Sequence, residues 1–151
     1  MFSEITMSSC SSSIPKCEPC SGLDESAMMS FDEAKAELLS LGGERFSIWA
    51  LKESQDGILS LSRKFTARNF QAAVEAINDI AAIAESENHH PDLHLTNYRE
   101  VEVGIFTHKV KGLTRNDFIL AEKIDSEVKM DYSPKWLREN PAAVPTSKSN
   151  N

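Results

Sequence analysis

From Arg68 to Glu87 the apolar side chains recur at steps of three and four: Phe70, Ala73, Val74, Ile77, Ile80, Ala81 and Ala84. That spacing lines one face of a helix and predicts the most regular element of the chain. From Tyr98 to His108 the period falls to two. Val101, Val103 and Ile105 share one face, and Glu100, Glu102, Phe106 and His108 share the other. A strand with one buried face is expected, with His108 at its end pointing away from the Val-Val-Ile side. Two further strand-like runs lie upstream, Arg45 to Leu51 and Ile58 to Phe65. Asp56-Gly57 is a tight-turn pair between them, so the two runs read as an antiparallel hairpin.

The helix boundaries carry their own signals. Ser30-Phe31-Asp32-Glu33 has the form of a capping box, in which the Ser30 hydroxyl and the Glu33 carboxylate satisfy each other's backbone amides. Gly42-Gly43 is the expected stop of that first helix, because glycine enters the left-handed cap without penalty. Pro91 disfavours helix at His90 and begins a loop that runs to Tyr98. Thr114 is the expected N-cap of a last helix with Asp117 in its first turn and an apolar stripe of Phe118, Ala121, Ile124 and Val128. The order is helix, two strands, helix, one or two strands, helix. Helices laid on one face of a small antiparallel sheet make an α+β domain over residues 30–131. Residues 1–29, rich in Ser, Cys and Pro, and residues 132–151, rich in Pro, Ser, Lys and Asn, read as a disordered N-terminal tail and a flexible C-terminal tail.

Composition narrows the partners. The 151 residues carry a formal net charge of -7, which argues against a nucleic-acid surface and against adhesion to an anionic membrane. No apolar run approaches the roughly 20 residues of a membrane span. Cys10, Cys17 and Cys20 all fall in the N-terminal tail. Cys17-x-x-Cys20 lacks a second ligand pair, so no metal is assigned to it. Free thiols suit a reducing compartment, and the N-terminus shows neither a secretory nor an organelle-targeting pattern. Cytoplasm is the expected location, with an organelle open if a targeting segment precedes this sequence.

All four histidines fall between positions 89 and 108, as His89, His90, His94 and His108. Histidine titrates near neutral pH, which suggests proton transfer or a metal. His90 and His94 are four apart, but Pro91 and Asp92 spoil the helix that metal ligation from one face would need. A zinc site recruiting His89, His90, His108 and a carboxylate stays open on the sequence. Acid–base chemistry needs a donor and an acceptor on either side of one substrate, and two separated imidazoles supply both. Glu85 lies four residues before His89, where a continuing helix would let it orient that ring. Asp117 could do the same for His108.

The run Glu85-x3-His89-His90-Pro91, followed by Tyr98, Thr107-His108, Gly112-Leu113-Thr114 and Asp117, resembles the signature of the pterin-4a-carbinolamine dehydratases. Trp49, Arg63-Lys64-Phe65 and the Phe70 helix are similar as well, so the resemblance covers residues 30–128. It implies three helices over a four-stranded antiparallel sheet in the order α-β-β-α-β-β-α. It implies a lyase that removes water from a 4a-hydroxytetrahydropterin with no metal and no cofactor, the pterin itself being the substrate. The matching positions make His89, His90 and His108 catalytic, with His89 and His108 in the acid–base roles and His90 mainly binding. Glu85 and Asp117 become orienting residues. Pro91, Thr107, Lys109 and Val110 line the pterin pocket. His94 is not a signature position and is expected to be dispensable. The resemblance further implies a homodimer or homotetramer. A partner-binding role, as a dimerisation protein of the same fold, and a metal hydrolase are the competing readings.

Overall fold

The computed structural model describes residues 14–46 and 48–143. The expectations for Cys10 with the rest of residues 1–13, and for residues 144–151, lie outside the described residues. Helix α1 (Phe31–Phe46) opens on the expected reciprocal cap: the Ser30 amide donates to Glu33 Oε1 at 3.2 Å and the Glu33 amide to Ser30 Oγ at 3.1 Å. It does not stop at Gly42-Gly43 but runs on through Arg45 and Phe46, which were expected to begin a strand. Glycine permits a left-handed stop without requiring one, and its cost inside a helix is only about 1 kcal/mol. The first hairpin therefore begins later, with β1 (Trp49–Glu53) paired to β2 (Leu59–Thr66) and Gly57 at φ 82° in the turn.

Helix α2 (Phe70–Glu87) starts where the Asn69 side chain accepts from the Ala72 amide at 2.9 Å. Its buried face is Ala72, Ala73, Ala76, Ile80 and Ala84. Small side chains let the helix lie close to the sheet, and the stripe is rotated from the expected one, leaving Phe70 and Ala81 exposed. After α2 the chain forms β3 (Asp92–Thr96), where a loop was expected, and β4 (Glu100–Ile105). Leu93 and Leu95 turn inward against the core while Asp92, His94 and Thr96 face outward, a short alternation of period two. Asn97 and Tyr98 both take left-handed φ, 51° and 55°, in the turn between them, so Tyr98 is a turn residue rather than the start of a strand. The sheet order is β1-β2-β4-β3, antiparallel throughout.

Trp49, Leu61, Phe65, Val101, Val103 and Ile105 form the sheet's buried contribution to one core. Helix α3 (Arg115–Glu127) adds Phe118, Leu120, Ala121 and Ile124 to it. The fold is the expected small α+β domain with three main helices and a four-stranded antiparallel sheet.

Both expected tails are shorter than their composition suggested. Beyond α3, Tyr132 packs edge-on to Phe65 at 5.6 Å and its hydroxyl meets the buried Arg63. A fourth helix, α4 (Pro134–Glu139), follows, with Ser133 as N-cap and Trp136 stacked on Tyr132 at 4.9 Å. Ser-Pro at N-cap and N1 is a start signal legible in the sequence. At the other end, residues 14–29 lie against α2 and α3 with Cys17 buried. Here the signal sits in the receiving elements: Glu87 accepts the Cys17 amide at 2.8 Å, and the Asn116 side chain clamps Glu18 through both its amide and its carbonyl. Among the described residues no helix is long and apolar enough to cross a membrane.

Candidate active site

The end of α2 decides where the two adjacent histidines go. Asn88 takes the left-handed conformation (φ 55°, ψ 39°) and caps the helix, with its amide and that of His89 folding back on the last turn. Pro91 keeps His90 out of the helix. The pair therefore separates: His89 is buried, 3% exposed, and His90 is exposed.

Because the helix stops before His89, the expected Glu85–His89 pairing does not form. Glu85 Oε1 instead meets His90 Nε2 at 3.1 Å on the surface. The expected Asp117–His108 pairing does not form either. Asp117, fully buried at the third position of α3, places Oδ1 2.6 Å from His89 Nε2. Its Oδ2 accepts from the Thr107 hydroxyl at 2.9 Å and from the Thr114 amide at 2.8 Å. Thr107 Oγ1 lies a further 2.8 Å from Thr114 Oγ1. A buried carboxylate with three donors aimed at it is firmly fixed, and through its first oxygen it fixes the His89 ring.

His108 does not end a strand. It sits in the turn closed by the Thr107–Gly112 bridge, exposed, with its ring 4.2 Å from that of Phe106. Its neighbour Thr107 shares the Asp117 carboxylate with His89, which ties the His108 turn to the end of α2. Thr107 was expected to line a pocket, but its side chain and both backbone polar groups are spent inside the protein. Val110 is buried and Lys109 exposed on the same turn, and Pro91, after His90, is half-buried. Lys109 Nζ donates to the Ser21 carbonyl at 2.5 Å. His94 stands on β3, paired across to Glu102 and away from this network.

The N-terminal segment supplies what the sequence did not show. Cys20 Sγ lies 3.4 Å from His89 Nδ1, so both ring nitrogens of His89 are engaged. With the ring proton on Nε2 facing Asp117, Nδ1 accepts from the Cys20 thiol; this assignment follows from the hydrogen-bond pattern. Glu87, two residues before His89, binds the Lys123 ammonium at 2.6 Å and the Cys17 amide. Burial alone would raise the Glu87 carboxyl, but these donors hold it below the usual glutamate range. Burial, and then the Glu87 charge beside it, push the Cys17 thiol up to about 12. Cys17 is therefore expected to react with iodoacetamide at pH 8 much more slowly in the folded chain than once denatured, as read by mass spectrometry; equal rates would contradict the burial. Among the described residues no three His, Cys, Asp or Glu side chains are grouped to hold a metal ion. A cavity of about 460 Å³ lies beside Arg63, Asp125 and Tyr132, toward the other end of α3, and contains none of the candidate residues.

Comparison with known proteins follows the same residues. Residues 28–127 match the family profile described as pterin 4 alpha carbinolamine dehydratase. The chain is 40% identical over 113 residues to pterin-4-alpha-carbinolamine dehydratase 2, mitochondrial, of Arabidopsis thaliana, covering 75% of this chain and 57% of that one. It is 38% identical over 109 residues to a protein of Saccharophagus degradans named for the same dehydratase, covering 72% and 88%. The chain thus spans little more than half of the plant relative and most of the bacterial one. Among solved structures it is similar to the transcriptional coactivator/pterin dehydratase from Brucella melitensis, with a TM-score of 0.54, 25% identity, and 68% and 99% of the two chains covered.

Proposed function

Because the chain belongs to the pterin 4 alpha carbinolamine dehydratase family, we propose that it is a hydro-lyase acting on 4a-hydroxytetrahydropterins. The C4a–O bond breaks, the departing hydroxyl takes up a proton and leaves as water, and a ring nitrogen gives up a proton, so that a quinonoid dihydropterin forms with no net proton change. This reaction needs an acid and a base on either side of one heterocycle and no redox partner. The observation that carries the reading is the shared carboxylate: Asp117 holds His89 directly and holds, through Thr107, the turn that bears His108. His89 and His108 are assigned the proton transfers. His90, exposed and held by Glu85, is assigned to binding and polarising the substrate. Lys109 and Val110 are assigned to the pterin pocket with Pro91, and Thr107 acts by supporting the network. The place in metabolism is the return of a tetrahydropterin cofactor after an aromatic amino acid hydroxylase has turned over.

The test is the dehydration of freshly generated 4a-hydroxytetrahydropterin, followed by ultraviolet absorbance with the uncatalysed rate subtracted. Acceleration that survives a metal chelator supports the histidine reading over a metal hydrolase. A folded chain that gives no acceleration overturns it. The coactivator half of the Brucella name makes partner binding the second reading. A variant that loses turnover but keeps a partner would separate the two roles.

A further inference from the structure

We propose that residues 16–21 form a displaceable strap across the candidate active site, held where the pterin must bind, so that the described arrangement is the closed form of the enzyme. The inference rests on the dehydratase reading and concerns access to its site. A catalytic imidazole must present a nitrogen to its substrate. His89 presents none: Asp117 takes Nε2, Cys20 takes Nδ1, and the residue is 3% exposed. Asp117 is part of the rigid interior, so the group that can leave is Cys20.

The strap also reaches the other wall. Ser21, next to Cys20, offers its carbonyl to Lys109 beside His108. A thiol on His89 and a carbonyl on Lys109 thus occupy the polar groups that a heterocycle with donors and acceptors on its rim would use. The strap acts as an internal stand-in for the substrate.

Its attachment suits release. Within residues 14–29 only Cys17 is buried. Across residues 16–21 the remaining hold is polar, from Lys16 to the Ser86 carbonyl and Glu87, Cys17 to Glu87 and the Asn116 carbonyl, and Glu18 and Cys20 to the Asn116 side chain. A cavity of about 310 Å³ lies between the segment and the start of α3, lined by Pro15, Leu23, Met29 and Asn116 among others. A segment with one buried side chain over a void opens locally far more easily than the core unfolds.

The experiment compares the full chain with its Cys20→Ala and Asn116→Ala variants. Cys20→Ala removes the sulfur from His89. Asn116→Ala removes the clamp on Glu18 and the Asn116 contact to the Cys20 sulfur, and leaves the Cys20 and His89 side chains in place. Access is read by diethyl pyrocarbonate acylation of His89, measured by mass spectrometry against the exposed His94, and turnover by kcat/KM for the carbinolamine. In both variants His89 acylation is expected to increase and kcat/KM to rise about threefold or more, since apparent activity scales with the open fraction. Greater acylation with unchanged kcat/KM overturns the proposal, because the strap then does not limit the reaction. A fall in kcat/KM overturns it by making the strap part of the working site, and no change in either reading overturns it by showing that these contacts do not hold the strap. Absence of turnover in all three proteins would sink the dehydratase reading instead, and His89 acylation would then decide on its own whether the strap covers that residue.

Discussion

Asp117→Asn is expected to cost about 3 kcal/mol of stability and at least about a hundredfold in kcat/KM. Three donors converge on this fully buried carboxylate: the His89 ring, the Thr107 hydroxyl and the Thr114 amide. Asparagine keeps the shape but replaces one acceptor oxygen by an NH2 group. If nitrogen takes the Oδ2 position it faces two donors, and if it takes Oδ1 it forces the other tautomer on His89. Hydrogen bonds to a charged group contribute roughly 1.5–3 kcal/mol each, and a buried donor left without an acceptor costs about 1–3 kcal/mol. The substitution therefore weakens the start of α3 and misdirects a proposed catalytic ring in one step. Two-state thermal denaturation should show a melting temperature lower by roughly 10 °C. Glu85→Gln is the contrasting variant, because its pair with His90 lies on the surface. Its melting temperature should not move. An Asp117→Asn protein that melts with the natural chain would show that the buried network is not what fixes His89.

The same carboxylate marks how far the sequence could be read. Period-three-and-four spacing located α2 and α3, and Ser30-x-x-Glu33 located the start of α1, because these are local interactions between residues three or four apart. The partners of Asp117 and Glu85 were not legible in this way. Helix spacing points Glu85 to His89, and nearness along the chain points Asp117 to His108, whereas the structure pairs them with His90 and His89. Asn88 in the left-handed conformation ends α2 one residue before His89 and turns that ring into the protein, and His90, not His89, meets Glu85. A cap one residue early reverses which of two adjacent side chains is buried. Nothing in residue spacing reports that shift until the chain direction is known.

The terminal segments fail for a different reason. Disorder was inferred from composition, and a segment poor in large apolar residues does not bury enough surface to order itself. Residues 16–21 do not order themselves; they are received by Glu87, Asn116, His89 and Lys109, which lie on four other pieces of chain. Long-range polar docking of that kind leaves no periodic trace. Tyr132 and Trp136, in contrast, are large aromatic residues flanking a Ser-Pro helix start, and their stacking follows from residues that are in view.

His108→Ala separates chemistry from scaffolding most sharply. The side chain is exposed, its one described ring neighbour is Phe106, and it takes no part in the Asp117 network. Truncation should leave the melting temperature within about 2 °C of the natural chain, the usual scale for a surface substitution. A positioned acid or base contributes about a hundredfold to ten-thousandfold, so kcat/KM should fall by about a hundredfold or more once the uncatalysed rate is subtracted. If His108 transfers a proton, the loss falls on kcat; if it only holds the pterin, KM rises while kcat is kept. His94→Ala serves as the control for histidine loss as such, since His94 faces outward from β3 and should leave both constants unchanged. A His108→Ala protein with undiminished kcat would move the proton transfers to His89 and His90, of which the first is buried and the second exposed. The displacement of residues 16–21 that frees His89 would then have to bring both rings to one substrate.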